Sequence, residues 1–555
     1  MGNKLQKSFS IFSIKKYEYI LVAIWGSILF IPFIGSVHLF DWDEINFAEA
    51  AREMLVSGNY TQVQINFQPF WEKPPLFFWL QALSMKVFGV NEFAARFPNT
   101  IVGISALLFA YHVAKKYFNR SLAWIWVLCI TGSFTPHLYY KSGIIDPLFN
   151  LFITAAIYQL FLISTSVETS IKNKSSALLG LFIGLAILTK GPVALLVVLL
   201  CFFVFLISNK FELFFTFYNV IICVITTFLV SSILFVFEIF KNDSTFISDF
   251  IHYQIDLFLN PVAGHGQPFW YHPLVLLLGC FPVSVFALNI LFKRKFSNTN
   301  LEQLLFFKWM QILFWVVLIL FSIVETKIVH YSSLCYLPLT FIAAYAIHEY
   351  FYSDKSFEKW KIIFIFSIGL VLSFLLTAVS LVDVFKNKFV HLIDDEFARA
   401  CLSTNANWTG FEFMFGLSFF GVLVLSTFYL WHNEKIKGVL ILLVFISVFI
   451  PLFIRFVVPK IEQYSQGPAI KMYIEIAKNN ADVEVLGFKS YAQYFYSESK
   501  CASNTSDSLT NEKAHFIMMH LGDSKEHLQF KFTEIKQEGG FLLLLKNTER
   551  IEEKE

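Results

Sequence analysis

The feature that most constrains this chain is the recurrence of long apolar runs. A helix needs roughly 20 apolar residues to cross a hydrocarbon core. About thirteen stretches approach that length, at 19–37, 93–114, 121–138, 147–164, 176–189, 192–208, 217–240, 270–292, 309–324, 328–348, 362–382, 411–431 and 438–458. Composition agrees. Hydrophobic residues make up 56% and charged residues 15% of the 555, where a soluble protein carries about 25% charge. The polar surface is too small for a water-soluble body of this size. Disorder is excluded, because it needs low hydrophobicity and high net charge. A net charge of +2, with no basic stripe interleaved with aromatics, excludes a nucleic-acid binder. The predicted fold is mainly α, a polytopic membrane bundle of about 13 helices over residues 1–458. The 68 phenylalanines read as lipid-facing bulk.

Charge sets the expected sidedness. Gly191-Pro192 separates 176–189 from 192–208. With those runs counted as two spans, basic residues recur in every second loop: Lys115, Lys116 and Arg120, then Lys172 and Lys174, Lys210, Lys293–Lys295, Lys355–Lys361, and Lys435 with Lys437. That is the positive-inside pattern, with a cytoplasmic N-terminus and run 19–37 kept as an anchor. It places the first outer loop, 38–92, and the tail, 459–555, outside. The tail reads as a small α/β domain: a helix at 468–479, and strands at Val483–Phe488, Ala514–His520 and Phe541–Lys546. Five of the seven cysteines fall inside apolar runs as small hydrophobes. A Cys401–Cys501 disulfide is left open, and no CxxC or zinc-ribbon spacing occurs.

The first outer loop holds the densest chemistry. Asp41-Trp42-Asp43-Glu44 follows the first span and leads into a predicted amphipathic helix at 44–56, with Ile45, Ala48 and Leu55 on one side. Trp71-Glu72-Lys73-Pro74-Pro75 then opens a helix from Leu76 to Phe88, with Pro75 placed for its first turn. Trp71, Phe77, Phe78 and Trp79 suit a membrane interface.

These motifs resemble a family. Asp43-Glu44, Ala48-Glu49, Arg52-Glu53-Met54-Leu55, Gly58 and Glu72-Lys73-Pro74-Pro75-Leu76, followed by Trp79-Leu80, are similar to the first outer loop of the lipid-A aminoarabinose transferases. They also resemble the wider superfamily that includes protein O-mannosyltransferases. Asp146-Pro147, Leu188-Thr189-Lys190-Gly191, and His265 with Pro268-Phe269-Trp270-Tyr271 extend the likeness. It implies a GT-C glycosyltransferase that moves a sugar from a polyprenyl phosphate to an outer acceptor (lipid A, a glycan or a protein) with inversion. The implied home is the bacterial inner membrane, with the active site and C-terminus periplasmic. The chain departs from the family at Asn46-Phe47, where the transferases typically carry Arg-Tyr, so reaction class rather than sugar is what the likeness carries.

Such a reaction needs a carboxylate on the acceptor side and cations for the departing phosphate. The resemblance points to Asp43 as general base or orienter, with Glu44 beside it and Asp146 as its partner. Asp43 and Asp146 also fit helix caps. Lys73 is the leading phosphate cation, and the resemblance adds Lys327, His330 and Tyr331. Lys190, ionisable at membrane depth, is a functional candidate by default or a snorkelling anchor. Glu72 and His265 are a candidate pair for a divalent metal; otherwise Glu72 is an ion-pair partner and His265 a loop residue. His252 reads more readily as a surface residue, and Arg52 as a partner for Glu49. The competing reading is a transporter or flippase, and a third is a scaffold. Transporters place charges near span centres and build paired broken helices, whereas here the acids cluster in outside loops.

Overall fold

The computed structural model describes residues 17–233, 267–292, 300–325, 327–353, 356–479, 481–498, 514–523 and 530–550. His252, His265, Cys501 and most of the 241–269 loop lie outside the described residues. The chain begins with α1 (Glu18–Phe30), α2 (Asp43–Ser57), the two-residue strands β1 (Gln64–Ile65) and β2 (Gln68–Pro69), α3 (Leu76–Phe88) and α4 (Glu92–Tyr117). There follow α5 (Arg120–Thr131), α6 (Phe134–Tyr139), α7 (Asp146–Thr165), α8 (Thr169–Lys190), α9 (Val193–Ser208) and α10 (Phe217–Ser231). Beyond them come α11 (Tyr271–Gly279), α12 (Val283–Leu291), α13 (Leu301–Ile323), a 3-10 turn at Val329–Cys335, α14 (Tyr336–Tyr352) and α15 (Lys359–Phe389). The last membrane helices are α17 (Phe413–Trp431) and α18 (Lys435–Phe456), preceded by the short α16 (Glu396–Ser403).

This is a polytopic helical membrane protein. Each expected apolar run falls on a helix, in whole or in part. Seven helices are long and apolar enough to cross a membrane, so a count of thirteen uniform spans is not what the described residues give. The remaining runs are short or broken. Run 121–138 splits at Gly132, where a Cβ would lie 2.7 Å from the Leu443 carbonyl oxygen. Run 270–292 splits at Pro282, which cannot continue a helix with its missing N–H. Run 328–348 starts with the 3-10 turn. The break at Gly191 is real: its φ of +86° ends α8, and Pro192 opens α9.

Helix starts follow local chemistry. Asn91 and Asn119 cap α4 and α5 by accepting from Ala94 N–H and Leu122 N–H, each at 2.9 Å. Gly58, at φ +70°, ends α2 in the left-handed conformation that glycine adopts freely.

The tail forms a four-stranded sheet in the order β3-β4-β6-β5, with β3 (Asp482–Val485) parallel to β4 (His515–His520). The other two strands, β5 (Phe530–Glu538) and β6 (Phe541–Arg550), pair antiparallel with each other, and β6 with β4. The short α19 (Val458–Glu462) leads into it, α20 (Gly467–Lys478) packs on the sheet, and α21 (Ala492–Tyr496) packs on α2. The expected helix and three strands are present; β5 was not among them. Phe530–Glu538 carries five charged or amide side chains among its nine residues, which hides a strand.

Two buried carboxylates bolt the first segments together. Glu18 accepts from Tyr111 Oη at 2.6 Å and pairs with Lys115 at 2.5 Å and Arg120 at 2.8 Å. At the other end of α4, Arg96 holds Glu44 through two bonds, Nε to Oε1 at 2.8 Å and Nη2 to Oε2 at 2.7 Å. Arg96 also donates to the carbonyls of Ile34, Val37 and His38 at 2.6–2.8 Å. Removing one partner of such a pair strands a buried charge, which costs about 3–5 kcal/mol. Arg96→Ala is therefore expected to lower thermal stability of the detergent-solubilised protein sharply. An unchanged melting temperature would refute the bolt.

Candidate active site

The loop before α7 is built by polar residues from α3 and α4. Asn99 donates to the carbonyls of Ser142 at 2.7 Å and Ile144 at 2.6 Å. Gln81 donates to the carbonyls of Ala95 at 2.9 Å and Gly143 at 3.3 Å. Glu44 accepts from Gly143 N–H at 2.5 Å and Phe40 N–H at 2.8 Å. With the two Arg96 bonds, both carboxylate oxygens of Glu44 are fully used, and those two partners together with burial compete over its proton. Arg96 and the amides win, holding it below the ordinary carboxylate range. Glu44 thus faces no open space: the sequence placed it among the reacting groups, and the structure makes it a strut that joins α2 to the loop leading to Asp146.

Asp43 and Asp146 come from opposite sides of this strut. Each is the first residue of its helix, α2 and α7; the cap positions themselves belong to Trp42 and Ile145, neither with a side-chain cap bond. Asp146 is buried and receives Lys190 Nζ at 2.6 Å, with Ser333 Oγ at 3.5 Å. Lys190 is the last residue of α8, and its ammonium lies 5.5 Å from the centroids of both the Phe149 and Tyr331 rings. Asp43 is half-buried, its Oδ2 lying 3.8 Å from His330 Nε2. The other His330 nitrogen meets Tyr139 Oη at 2.7 Å.

Lys73 stands in the same electrostatic neighbourhood. Burial pushes its ammonium below the ordinary lysine range; Lys190 adds to this, while Glu72, Asp43 and Asp146 oppose it. The structure therefore gathers Asp43, Asp146, Glu72, Lys73, Lys190, His330 and Tyr331. Lys327 is buried on the approach to the 3-10 turn, making one long contact to the Glu325 carbonyl at 3.5 Å. Beside it is His272, fully buried, with neither ring nitrogen hydrogen-bonded among the described residues. Of the expected metal pair only Glu72 is described. Among the described residues no group of three or more His, Cys, Asp or Glu side chains is arranged to hold a metal ion.

Sequence reasoning missed Arg96, Gln81, Asn99, Tyr139 and His272. Arg96 and Asn99 did leave a signal, polar side chains at the start of an apolar run. Arg52 pairs with Glu49 through two 2.7 Å bonds, as the sequence favoured.

A second carboxylate holds the loop between α2 and α3. Asn66 and Phe67, at φ +55° and +56°, turn the hairpin β1–β2. Glu53 accepts both of their N–H groups, at 2.6 and 2.8 Å. Burial and the neighbouring Glu49 push the Glu53 carboxyl up to about 8. Its proton is thus held more tightly in the folded than in the unfolded chain, and folded stability is expected to fall as pH rises from about 4.5 to about 8. Glu53→Gln, an isostere of the protonated form, is expected to remove that slope in melting curves taken across the range. A slope unchanged in the variant would contradict the clamp.

The family described as dolichyl-phosphate-mannose-protein mannosyltransferase matches residues 72–235. An undecaprenyl phosphate-alpha-4-amino-4-deoxy-L-arabinose arabinosyl transferase of Shewanella sediminis (strain HAW-EB3) is 28% identical over 338 residues, 59% of each chain. The protein of that name from Enterobacter sp. (strain 638) is 29% identical over 60% of this chain and 59% of its own. This chain thus aligns with about three fifths of the length of those relatives. ArnT from Cupriavidus metallidurans, crystallised with undecaprenyl phosphate, superposes with a TM-score of 0.75, covering 95% of this chain and 98% of that one at 13% identity. The chain shares the fold of that protein.

Proposed function

We propose that the chain is a polyprenyl-phosphate-dependent glycosyltransferase of the bacterial inner membrane, working on its periplasmic side. The observation that carries this reading is the gathering of Asp43, Lys73 and the Asp146–Lys190 pair, from four separate segments, at one end of a helical bundle. The relatives' names and the carrier lipid of the Cupriavidus structure support a sugar carried on a polyprenyl phosphate. The likeness favours transfer over transport.

The reaction follows from the charges. The acceptor oxygen attacks the anomeric carbon from the face opposite the phosphate, so the new bond forms as the old one breaks, with inversion. A hydroxyl acceptor gives its proton to Asp43, whose carboxylate lies 3.8 Å from His330, itself bonded to Tyr139. The departing phosphate gains negative charge, which Lys73 and Lys190 offset beside Tyr331; Asp146 holds Lys190 in place, and Lys327 extends the positive field. Glu44 acts by positioning. A divalent cation at Glu72 needs His265 as its second ligand, and stoichiometric metal in the purified protein is the result that would add one. The acceptor is a lipid, glycan or protein, and the periplasmic domain from 459 onward packs on α2 and on Trp42 beside Asp43.

Asp43→Asn is expected to lower turnover of a polyprenyl-phosphate sugar about 10²–10⁴-fold, the usual worth of a positioned base. Wild-type turnover in that variant would remove Asp43 from the mechanism. Because Lys73 loses its proton below the ordinary lysine range, the alkaline limb of the rate profile is expected to begin early. Lys73→Arg, which stays charged, is expected to move that limb to higher pH; an identical limb in both proteins would assign it elsewhere.

A further inference from the structure

The segment 38–41, which runs into Asp43, is gripped by the tail. Its partners there lie 424 to 457 residues further along the chain. Glu462, the last residue of α19, holds His38 Nδ1 at 3.1 Å. Tyr496, the last residue of α21, accepts from Leu39 N–H at 2.8 Å and donates to Glu92 at 3.2 Å, which ties the segment to the start of α4. Gln466, between α19 and α20, donates from Nε2 to the Leu39 carbonyl at 2.8 Å and accepts at Oε1 from Asp41 N–H at 3.1 Å. Its side-chain amide thus bonds the segment as the backbone of a parallel strand would. Asp41 in turn holds Ser490 Oγ and accepts from Tyr491 N–H at 3.4 Å.

The grip is braced from behind. Gln466 Nε2 also donates to Glu462 Oε1 at 3.0 Å. Glu462 is 4% and Tyr496 7% exposed, so both act away from bulk water, where hydrogen bonds are stronger and networks rigidify.

This pattern differs from what docking alone requires. The tail and α2 already share an apolar cluster that includes Ile45, Ala48, Ile470 and Met472. Apolar burial is non-directional and does not fix a register. Hydrogen bonds to the Leu39 and Asp41 backbone do, because distance and angle are both constrained. On the other side of Asp43, Glu44 is fixed by Arg96. Asp43 therefore projects from a backbone held on both sides, once by the bundle and once by the tail. A misplacement of about 1 Å costs a reacting group about 10²-fold in rate.

We propose that the tail is a positioning element for the reaction: Gln466 and Tyr496, braced by Glu462, set the backbone register from which Asp43 meets the acceptor. These are positioning residues that act through Asp43. The proposal rests on the transferase reading and gives the tail a share in the rate.

The test is a double-mutant cycle in a strain deleted for the gene. The full chain is expressed there, and mass spectrometry follows the envelope product that deletion removes, so the sugar need not be known beforehand. Gln466→Ala removes both bonds to the segment. Tyr496→Phe removes the acceptor of Leu39 N–H and keeps the ring. Each is expected to lower the rate per folded protein about 10- to 100-fold, with the affinity of the purified protein for undecaprenyl phosphate unchanged. In an Asp43→Asn background each is expected to cost less than about twofold, because nothing is left to position. Wild-type rates in both variants, or losses that multiply with that of Asp43→Asn as a general folding defect would, overturn the proposal. The two readings fail separately: a deletion that removes no product, or full turnover in Asp43→Asn, removes the transferase mechanism and the positioning with it, whereas a full rate in Gln466→Ala and Tyr496→Phe with Asp43 still essential removes only the positioning.

Discussion

The buried pair between Glu44 and Arg96 is the interaction on which the rest of the structure depends. Arg96 gathers three carbonyls from the 34–38 segment, and Glu44 gathers the amides of Phe40 and Gly143. One ion pair therefore fixes the exit of α1, the start of α2, the start of α4 and the loop before α7. A buried pair is weak evidence for net stability, since desolvation offsets much of the attraction. Its worth here is geometric. Asp43 is the neighbour of Glu44, and Asp146 lies three residues beyond Gly143, so both carboxylates inherit their positions from this pair.

The same reasoning explains why charges occur in so apolar a chain. Glu18 ties α1 to α4 at the end opposite Glu44, with Tyr111 and Lys115 on one oxygen and Arg120 paired to the other. Lys141 is buried too, and donates to the carbonyls of Leu29, Phe30 and Pro32 at 2.7–3.0 Å, capping the C-terminal end of α1. The cations proposed to meet phosphate are different. Among the described residues Lys327 makes one long contact, to the Glu325 carbonyl, and Lys73 stands among the Asp43 and Asp146 carboxylates and Lys190.

Much of the fold was legible in the sequence because membrane helices announce themselves by hydropathy. The helix expected from Leu76 to Phe88 has those limits, set by Pro74-Pro75 before it and Gly89 after it. The 44–56 helix spans Asp43–Ser57, ended by Gly58. Hydropathy does not register a break inside an apolar run, so the interruption at Pro282 and the 3-10 turn at Val329–Cys335 were read as continuous spans. The chemistry of the site was legible by residue type but not by partner. Glu44 meets an arginine 52 residues away, and Tyr139 meets a histidine 191 residues away. No local pattern encodes such pairs, so the strut looked like a reacting group. The β1–β2 hairpin was missed for a related reason: its turn, Asn66-Phe67, is held by Glu53 from another helix.

The central claim is that residues remote in sequence share one phosphate. A double-mutant cycle on undecaprenyl phosphate affinity, using Lys73→Met, Lys190→Met and the double variant, tests it most directly. Two cations on one anion are expected to couple by more than about 0.5 kcal/mol. Losses that add to within a few tenths would show that the two lysines serve different ligands, and the account would fail.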